Sequence, residues 1–274
     1  MNRMVFLGTS AATAGNSYNA CFALAGDDGK YLLVDGGGGG EIINRLAAAR
    51  IAVTDISNIF VTHNHIDHIF GVIWVIRRLA ISAYTQGFAG PVDIYAQAMT
   101  IRAIQTLVEL VLSEAQIEAS QKILNYVTVG DRETADIGGR PAQFYDVQSG
   151  TESQFGIKLA LGGGKSLVYN GDELLKEPNY DLARGVDWLV HEVFVLEADR
   201  ATASRGGKPF TTAKTICELA QQLGAKNLIL THIKDDLYGP DRKARFIAEG
   251  RTYYPGRLFI PNDGDVIKLT KACV

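Results

Sequence analysis

Short runs of apolar and β-branched residues, each closed by Gly, Asn or Asp, recur along the chain and predict strands. In the first half these are MVFLG (4–8), CFALAG (21–26), YLLVD (31–35), NIFVT (58–62) and VDIYA (92–96). The second half offers AQFYDV (142–147), FGIKLAL (155–161), SLVYN (166–170), DWLVHEV (187–193), NLILTH (227–232), RLFIP (257–261) and DVIKLT (265–270). Between them lie segments whose apolar residues fall three or four apart, the spacing of a helix with one buried face. One starts near Glu41, a second follows His68, and a third carries Ile101, Ile104, Leu107, Val108 and Val111. A fourth, TTAKTICELAQQLG (211–224), opens with Thr as an N-cap and stops at Gly224. No linker or low-complexity tract interrupts this order. The pattern predicts one α/β (α+β) domain over residues 1–274, with strands in two stacked sheets and helices outside.

Composition narrows the class. Of 274 residues 47% are hydrophobic and 21% charged, the balance of a globular chain with a sizeable core. The net charge of -3 advertises no pull toward nucleic acid or anionic lipid. Cys21, Cys217 and Cys273 are scattered, odd in number and without CxxC spacing, so they read as reduced thiols. The opening MNRMVFLGTS turns too soon for a signal peptide's apolar region. The run IFGVIWVI (69–76) ends at Arg77-Arg78 and falls far short of the roughly 20 residues a membrane span needs. A cytoplasmic protein without membrane contact is expected.

Two glycine-rich stretches invite nucleotide readings and fail them. GGGKS (162–166) has Leu159 where a phosphate-binding loop needs its first glycine, and a strand follows where a helix N-terminus is required. DGGGGGEII (35–43) has Glu41 at the third dinucleotide-binding glycine. Both read as flexible turns.

The chemistry is concentrated in THNHIDH (62–68), which holds three of the chain's five histidines. It follows a buried strand, so His63 starts a loop anchored on a rigid element, where functional residues gather. His63 and His65 are two apart and can face one cation; Asp67 and His68 open the next helix and can reach a second. Two cations roughly 3.5–4 Å apart can clamp a substrate oxygen and generate hydroxide near neutral pH.

HxHxDH after a strand resembles the metallo-β-lactamase superfamily, and the resemblance runs in order through nearly the whole chain. LVYNGDELL is similar to the segment supplying that family's bridging carboxylate, which would be Asp172; LILTHI is similar to the one supplying its last ligand, which would be His232. DWLVHEV resembles the His-Glu motif of the ribonuclease Z branch, pointing to His191 and Glu192, and FLGTSAA resembles that branch's first strand and turn. The resemblance implies an αββα sandwich with metal ligands His63, His65, Asp67, His68, Asp172 and His232. It also implies a hydrolase in which a metal-bound hydroxide attacks a small phosphodiester, ester or lactone, with Asp67 orienting the nucleophile and accepting its proton. Asp67, His191 and Glu192 are the catalytic candidates. Zinc is the default for this donor set, in one or two ions, while Mn or Fe suits the same residues. Related enzymes often pair as homodimers, and a homodimer is expected by the same resemblance.

The departures matter as much. Ribonuclease Z sequences carry another histidine before FG and a strand; VQSGTESQFGIKL (147–159) has Ser149 there, with Gln148 and Asp146 as neighbouring substitutes. Three ligands against four, counting Asp172 on both sides, predict unequal affinities, with metal-poor protein holding one ion at the Asp67/His68/His232 side. The branch's His-Ser-Thr triplet becomes PFTTAKT, with Phe210 at the histidine's position. Its basic loop is replaced by ATAGNSYNA, keeping Asn19, and only ALGGGKS joins the strands between which a tRNA-gripping arm would rise. DRKAR (241–245) reads as a solvated helix face, with Arg242 or Arg245 able to meet an anionic substrate. Processing of tRNA is not expected, and a small-molecule substrate is. A mononuclear iron oxygenase and a non-catalytic metal- or ligand-binding protein on the same fold are the alternatives.

Overall fold

The computed structural model describes residues 3–12, 15–150, 152–201 and 211–269. Two seven-stranded sheets lie face to face. The first contains β1 (Arg3–Gly8), β2 (Cys21–Ala25), β3 (Tyr31–Val34), β4 (Ile56–Phe60), β5 (Val92–Ala96) and β6 (Leu124–Thr128) in that spatial order. The second contains β7 (Thr134–Asp136), β8 (Pro141–Asp146), β9 (Phe155–Gly162), β10 (Lys165–Tyr169), β11 (Trp188–Glu192), β12 (Asn227–Thr231) and β13 (Arg257–Phe259). The last strand, β14 (Val266–Lys268), returns to the first sheet beside β1. The helices are α1 (Glu41–Ala48), α2 (Ile66–Gln86), α3 (Ala98–Val111), α4 (Glu114–Ile123), α5 (Tyr180–Ala183), α6 (Ala213–Leu223) and α7 (Arg242–Tyr253).

Strand residues alternate between two dry environments. Met4, Phe6, Phe22, Leu24 and Phe60 of the first sheet face Phe144, Ile157, Leu159, Trp188 and Ile229 of the second in one buried cluster. Their neighbours Val5, Leu7, Ala23, Leu33 and Ile59 point the other way, against Ile42 and Leu46 of α1, Val72 and Ile76 of α2 and Ile104 of α3. On the far side, Val168, Leu189 and Leu228 pack with Ile216 and Ala220 of α6 and Phe246 of α7. Burial on both faces is why these strands read as continuous apolar runs instead of a half-polar alternation. The predicted sandwich is the observed one. β6, β7, α4 and the short α5 escaped the sequence reading; β6, LNYVT, has one buried residue, so its apolar pattern is weak.

The helices start and stop where local chemistry dictates. Thr212 caps α6 by accepting from the Thr215 N–H, and Gly224 ends it in the left-handed conformation (φ 68°), as expected. Gly162, Gly163 and Gly164 form a tight β9–β10 turn at positive φ, with Lys165 already in a strand, so no phosphate-binding loop exists there. Among the described residues no helix is long and apolar enough to cross a membrane. Cys21 and Cys217 are buried free thiols, and Cys273 lies outside the described residues.

Two sequence expectations need correction. Arg242 is not on a solvated face. It is 4% exposed and donates to Thr9 Oγ1, the Pro261 carbonyl and Asn262 Oδ1, tying the start of α7 to the first strand's end. Nor is the glycine stretch after β3 simply a flexible turn. Gly36 N–H donates to the His68 carbonyl (2.8 Å) and Gly71 N–H to the Gly37 carbonyl (2.8 Å), so the stretch is stitched to α2. A Cβ on Gly71 would stand 1.7 Å from the Gly36 oxygen, whereas one on Gly39 would meet nothing. Replacing Gly71 by Ala should therefore cost at least about 1–3 kcal/mol as an overpacked contact, while Gly39→Ala should stay within about 0.5 kcal/mol of wild type. Urea unfolding of both variants checks this, and equal midpoints would show that the stretch yields freely.

Candidate metal centre

Three strand ends create the site. β3, β4 and β5 run parallel in the first sheet, and β10, β11 and β12 run parallel in the second. The carboxyl ends of β4, β10 and β12 open onto the same edge of the sandwich. Val61 and Thr62 carry the chain from β4 into His63, and His65 is the extended N-cap residue of α2, which places Asp67 and His68 in the helix's first turn. Gly171 turns the chain at φ 73° after β10 and presents Asp172. His232 follows β12 with φ 56°, a conformation that costs a non-glycine residue of order 1–3 kcal/mol and is kept where the surroundings demand it.

Asp172 Oδ2 is the point of convergence. It lies 3.0 Å from His68 Nε2, 2.9 Å from His232 Nε2 and 3.8 Å from His63 Nε2. Asp67 Oδ2 stands 3.4 Å from His232 Nε2 and 3.5 Å from His68 Nε2. His63 Nε2 is 2.7 Å from His65 Nδ1. These atoms fall into two groups sharing Asp172: Asp67, His68, Asp172 and His232 in one, and His63, His65 and Asp172 in the other. All six residues picked out as ligands in the sequence are thus drawn together, in the four-and-three division inferred for them.

The donor set suits a divalent cation. The buried Asp67 and the largely covered Asp172 carboxylates sit together, and Asp172 Oδ1 is buried without a hydrogen-bond partner among the described residues. Uncompensated buried carboxylates are costly, so such a pair requires positive charge. Burial works against ionising Asp172, yet His232 and His68 outweigh it and hold the carboxyl well below the usual range. Asp67 is likewise held down against burial by hydrogen bonds to His232 and His68. In return the carboxylates, Asp172 foremost, raise His68 and His232 well above an ordinary imidazole against burial. His63 goes the other way, lowered by burial and by the neighbouring His68 charge. A cation would supply that charge directly, freeing the imidazole lone pairs to ligate.

Behind this cluster lies a layer of partners. His68 Nδ1 donates to Asp35 Oδ2 at 2.9 Å, and Asp35 Oδ1 accepts the Thr62 N–H at 2.9 Å. Thr62 Oγ1 also reaches Asp35 Oδ2 (3.0 Å) and His63 Nδ1 (2.9 Å). Asp35 is fully buried at φ 56°. Sequence reasoning passed over it as part of a glycine turn. The available signal was its place just after an apolar strand, YLLV; its pairing with the histidine-bearing strand shows only in the fold. Glu152 was also missed: its Oε2 lies 2.7 Å from His65 Nε2.

Not every sequence candidate arrives. His191 is fully buried, and both of its ring nitrogens are engaged by backbone: Leu175 N–H donates to Nε2 at 3.1 Å and Nδ1 donates to the Glu192 carbonyl at 2.9 Å. Burial lowers its pKa to about 4, so it is a neutral structural ring and does not join the cluster. The Glu192 side chain does reach the site. Its Oε2 is 3.5 Å from His232 Nδ1 and its Oε1 accepts from Thr211 Oγ1 at 3.0 Å. Burial, helped by Asp172 and opposed by hydrogen bonding to His232, pushes it up to about 7. Ser149 turns away and donates to Glu173 Oε1 (2.9 Å), and Asp146 Oδ1 accepts from the Gln148 N–H (2.7 Å). Neither carboxyl-bearing neighbour enters the three-member group. Phe210 lies outside the described residues.

Paired sheets, αββα layering and a His/Asp cluster at the strand ends define a protein of the metallo-β-lactamase superfamily, near its ribonuclease Z branch. Residues 2–253 match the family described as Anti-Pycsar protein Apyc1, and the chain belongs to that family. Among curated proteins it is similar to a ribonuclease Z from Bradyrhizobium sp., 27% identical with 93% of this chain and 96% of the relative covered. A ribonuclease Z from Haloarcula marismortui is also 27% identical, over 96% of this chain and 95% of its own length. Of solved structures, the metallo-β-lactamase fold protein YhfI from Bacillus subtilis superposes with a TM-score of 0.78 at 16% identity, covering 97% and 98% of the two chains. A diphosphatase from the PhnP family superposes with a TM-score of 0.73 at 18% identity, covering 98% of both.

The Asp35 network yields a prediction that needs no bound ion. Asp35→Ala leaves the Thr62 N–H and the His68 Nδ1–H without their acceptor inside the protein. Removing one member of a buried charged pair typically costs about 3–5 kcal/mol. Chelator-treated Asp35→Ala should lose stability on that scale in denaturant unfolding, and a loss within error of zero would show that water replaces the carboxylate.

Proposed function

We propose that this protein is a metal-dependent hydrolase of a small phosphodiester, working at the cluster centred on Asp172. The observation that carries the reading is Asp172 Oδ2, which faces three imidazole nitrogens from three elements within 3.8 Å while its other oxygen is buried and unpartnered among the described residues. A carboxylate so placed is suited to bridge two cations. His63, His65 and Asp172 would hold one and Asp67, His68, Asp172 and His232 the other, with zinc the default and Mn or Fe compatible with the same donors. Bound there, divalent cations polarise a phosphoryl oxygen and bring a water near pKa 7.

The chain's own residues supply the rest. Asp67 lies in the four-member group, placed to orient an attacking water and accept its proton. Glu192, hydrogen-bonded to Thr211, stands behind the His232 ring with its Oε2 3.5 Å from Nδ1, one residue removed from the reacting atoms. His191 keeps the Leu175 turn in place and takes no part in proton transfer. The ester and lactone readings share this geometry. The phosphodiester is preferred because ribonuclease Z and a diphosphatase of the PhnP family are among the proteins this chain resembles. We infer further that tRNA is not the substrate: the β9–β10 connection is a two-residue turn between Gly162 and Lys165, with no length to grip an elbow. Cytoplasmic location and a homodimer remain part of this proposal.

Two tests follow. Asp172→Ala should lose bound metal and turnover of a chromogenic aryl phosphodiester together, and chelator should abolish wild-type turnover. Full activity in either case would sink the hydrolase reading, and oxygen uptake by iron-loaded protein would favour the oxygenase instead. Incubated with precursor tRNA, the wild-type enzyme should give no defined product at the 3′ side of the acceptor stem; efficient cutting there would show that tRNA is a substrate despite the short turn.

A further inference from the structure

Three of the cluster's four imidazoles are held from behind by an oxygen within hydrogen-bond distance, and the fourth, His232, faces a carboxylate at 3.5 Å. His63 turns Nε2 inward with Nδ1 on Thr62 Oγ1, and His68 turns Nε2 inward with Nδ1 on Asp35. His232 turns Nε2 inward with Nδ1 toward Glu192. His65 is the exception in polarity: its Nδ1 points inward, at His63, and its Nε2 points out to Glu152 Oε2 at 2.7 Å. Protons are assigned from these partners. The Thr62 hydroxyl, donating to Asp35, accepts the His63 Nδ1–H, and the Glu152 carboxylate accepts the His65 Nε2–H. Two lone pairs then face each other across 2.7 Å, an arrangement that needs a proton or cation between them.

We propose that Glu152 is the positioning residue of the three-member metal group, fixing the His65 tautomer and strengthening its Nδ1 as a donor. This rests on the metal-centre reading and deepens it. The three-member group lacks an imidazole at Ser149, which is turned to Glu173, so its affinity depends more heavily on the two rings it has. A carboxylate on the remote nitrogen of a ligand histidine orients the ring and raises its basicity. The segment that lost the histidine carries Glu152 three residues further on, and that residue reaches the same group by way of His65. As a bare surface pair, with side chains 44% and 40% exposed, the contact would contribute little. Its effect is expected in metal affinity and not in folding.

The experiment loads full-length wild type, Glu152→Ala and Glu152→Gln with zinc and follows chelator competition and metal content, with thermal melting as a control on the fold. Wild type should hold two ions of unequal affinity. Glu152→Ala should release the weaker one about 10–100-fold more readily, the usual effect of losing such a partner, and keep the other unchanged. Glu152→Gln, whose amide oxygen can accept the same N–H, should recover most of the loss. Unchanged affinities in Glu152→Ala, or equal weakening of both ions, would overturn the proposal. So would a Gln variant as impaired as Ala, since holding the His65 N–H would then not be what Glu152 contributes. Wild type that takes up no zinc would overturn the metal-centre reading, whereas metal-dependent wild-type turnover with an unmoved Glu152→Ala would remove only the role of Glu152.

Discussion

The structure's edge is organised by one electrostatic requirement, the compensation of the buried Asp172 carboxylate. Its Oδ2 contacts imidazoles from the end of β4, the first turn of α2 and the end of β12, elements that belong to opposite sheets. A carboxylate in that position without partners would destabilise the fold by several kcal/mol. The two sheets can close over it only because the histidines arrive from both sides. The same arrangement that makes closure tolerable leaves a set of nitrogen and oxygen donors aimed at one place. Stability of the edge and readiness for a cation are consequences of the same contacts.

Precision at that place comes from residues that never face it. Thr62 and Asp35 lock His63 and His68 through hydrogen bonds that are wholly buried, and the Gly36–Gly71 contact holds α2 against β3 closely enough for Asp35 to reach. Asp35 and His232 both sit in left-handed backbone conformations, strain that their hydrogen bonds and packing must outweigh. Such strain is tolerated where it aims a side chain, and both side chains lie in or directly behind the cluster.

Much of this was legible in the sequence because the signals are local. Twelve apolar runs mark twelve of the strands, and the ligand residues follow strand ends in a fixed order, so HNHIDH, Gly171-Asp172 and Thr231-His232 could be matched one by one. What stayed hidden depends on distant partners. LNYVT and TAD lie at sheet margins and carry little apolar signal. Asp35, 33 residues from His68, is invisible as a partner until β3 pairs with β4. Arg242 sits in a cluster of charges that reads as solvated, yet it is buried by contacts to residues 9, 261 and 262. His191 matched a motif and proved to be turned into backbone, because a motif gives the residue and not the direction of its ring.

The two ligand groups also differ in depth, and the difference bears on chemistry. The side chains of Asp67, His68 and His232 are at most 7% exposed, while that of His65 is 44% exposed. The group with fewer protein ligands is therefore the one open to solvent. Under the proposed reading this is the side where a cation retains free positions, as catalytic zinc does with three protein ligands and structural zinc does not. The deeper group, with four donors and no exposed ring, is suited to hold its ion permanently. On that reading a serine at position 149 in place of an imidazole would leave the cage weaker on its open side, the side of the Glu152–His65 contact. An open coordination face and a lower affinity would then share one origin, so a change that tightened an outer ion by adding a ligand would also narrow the space through which substrate arrives.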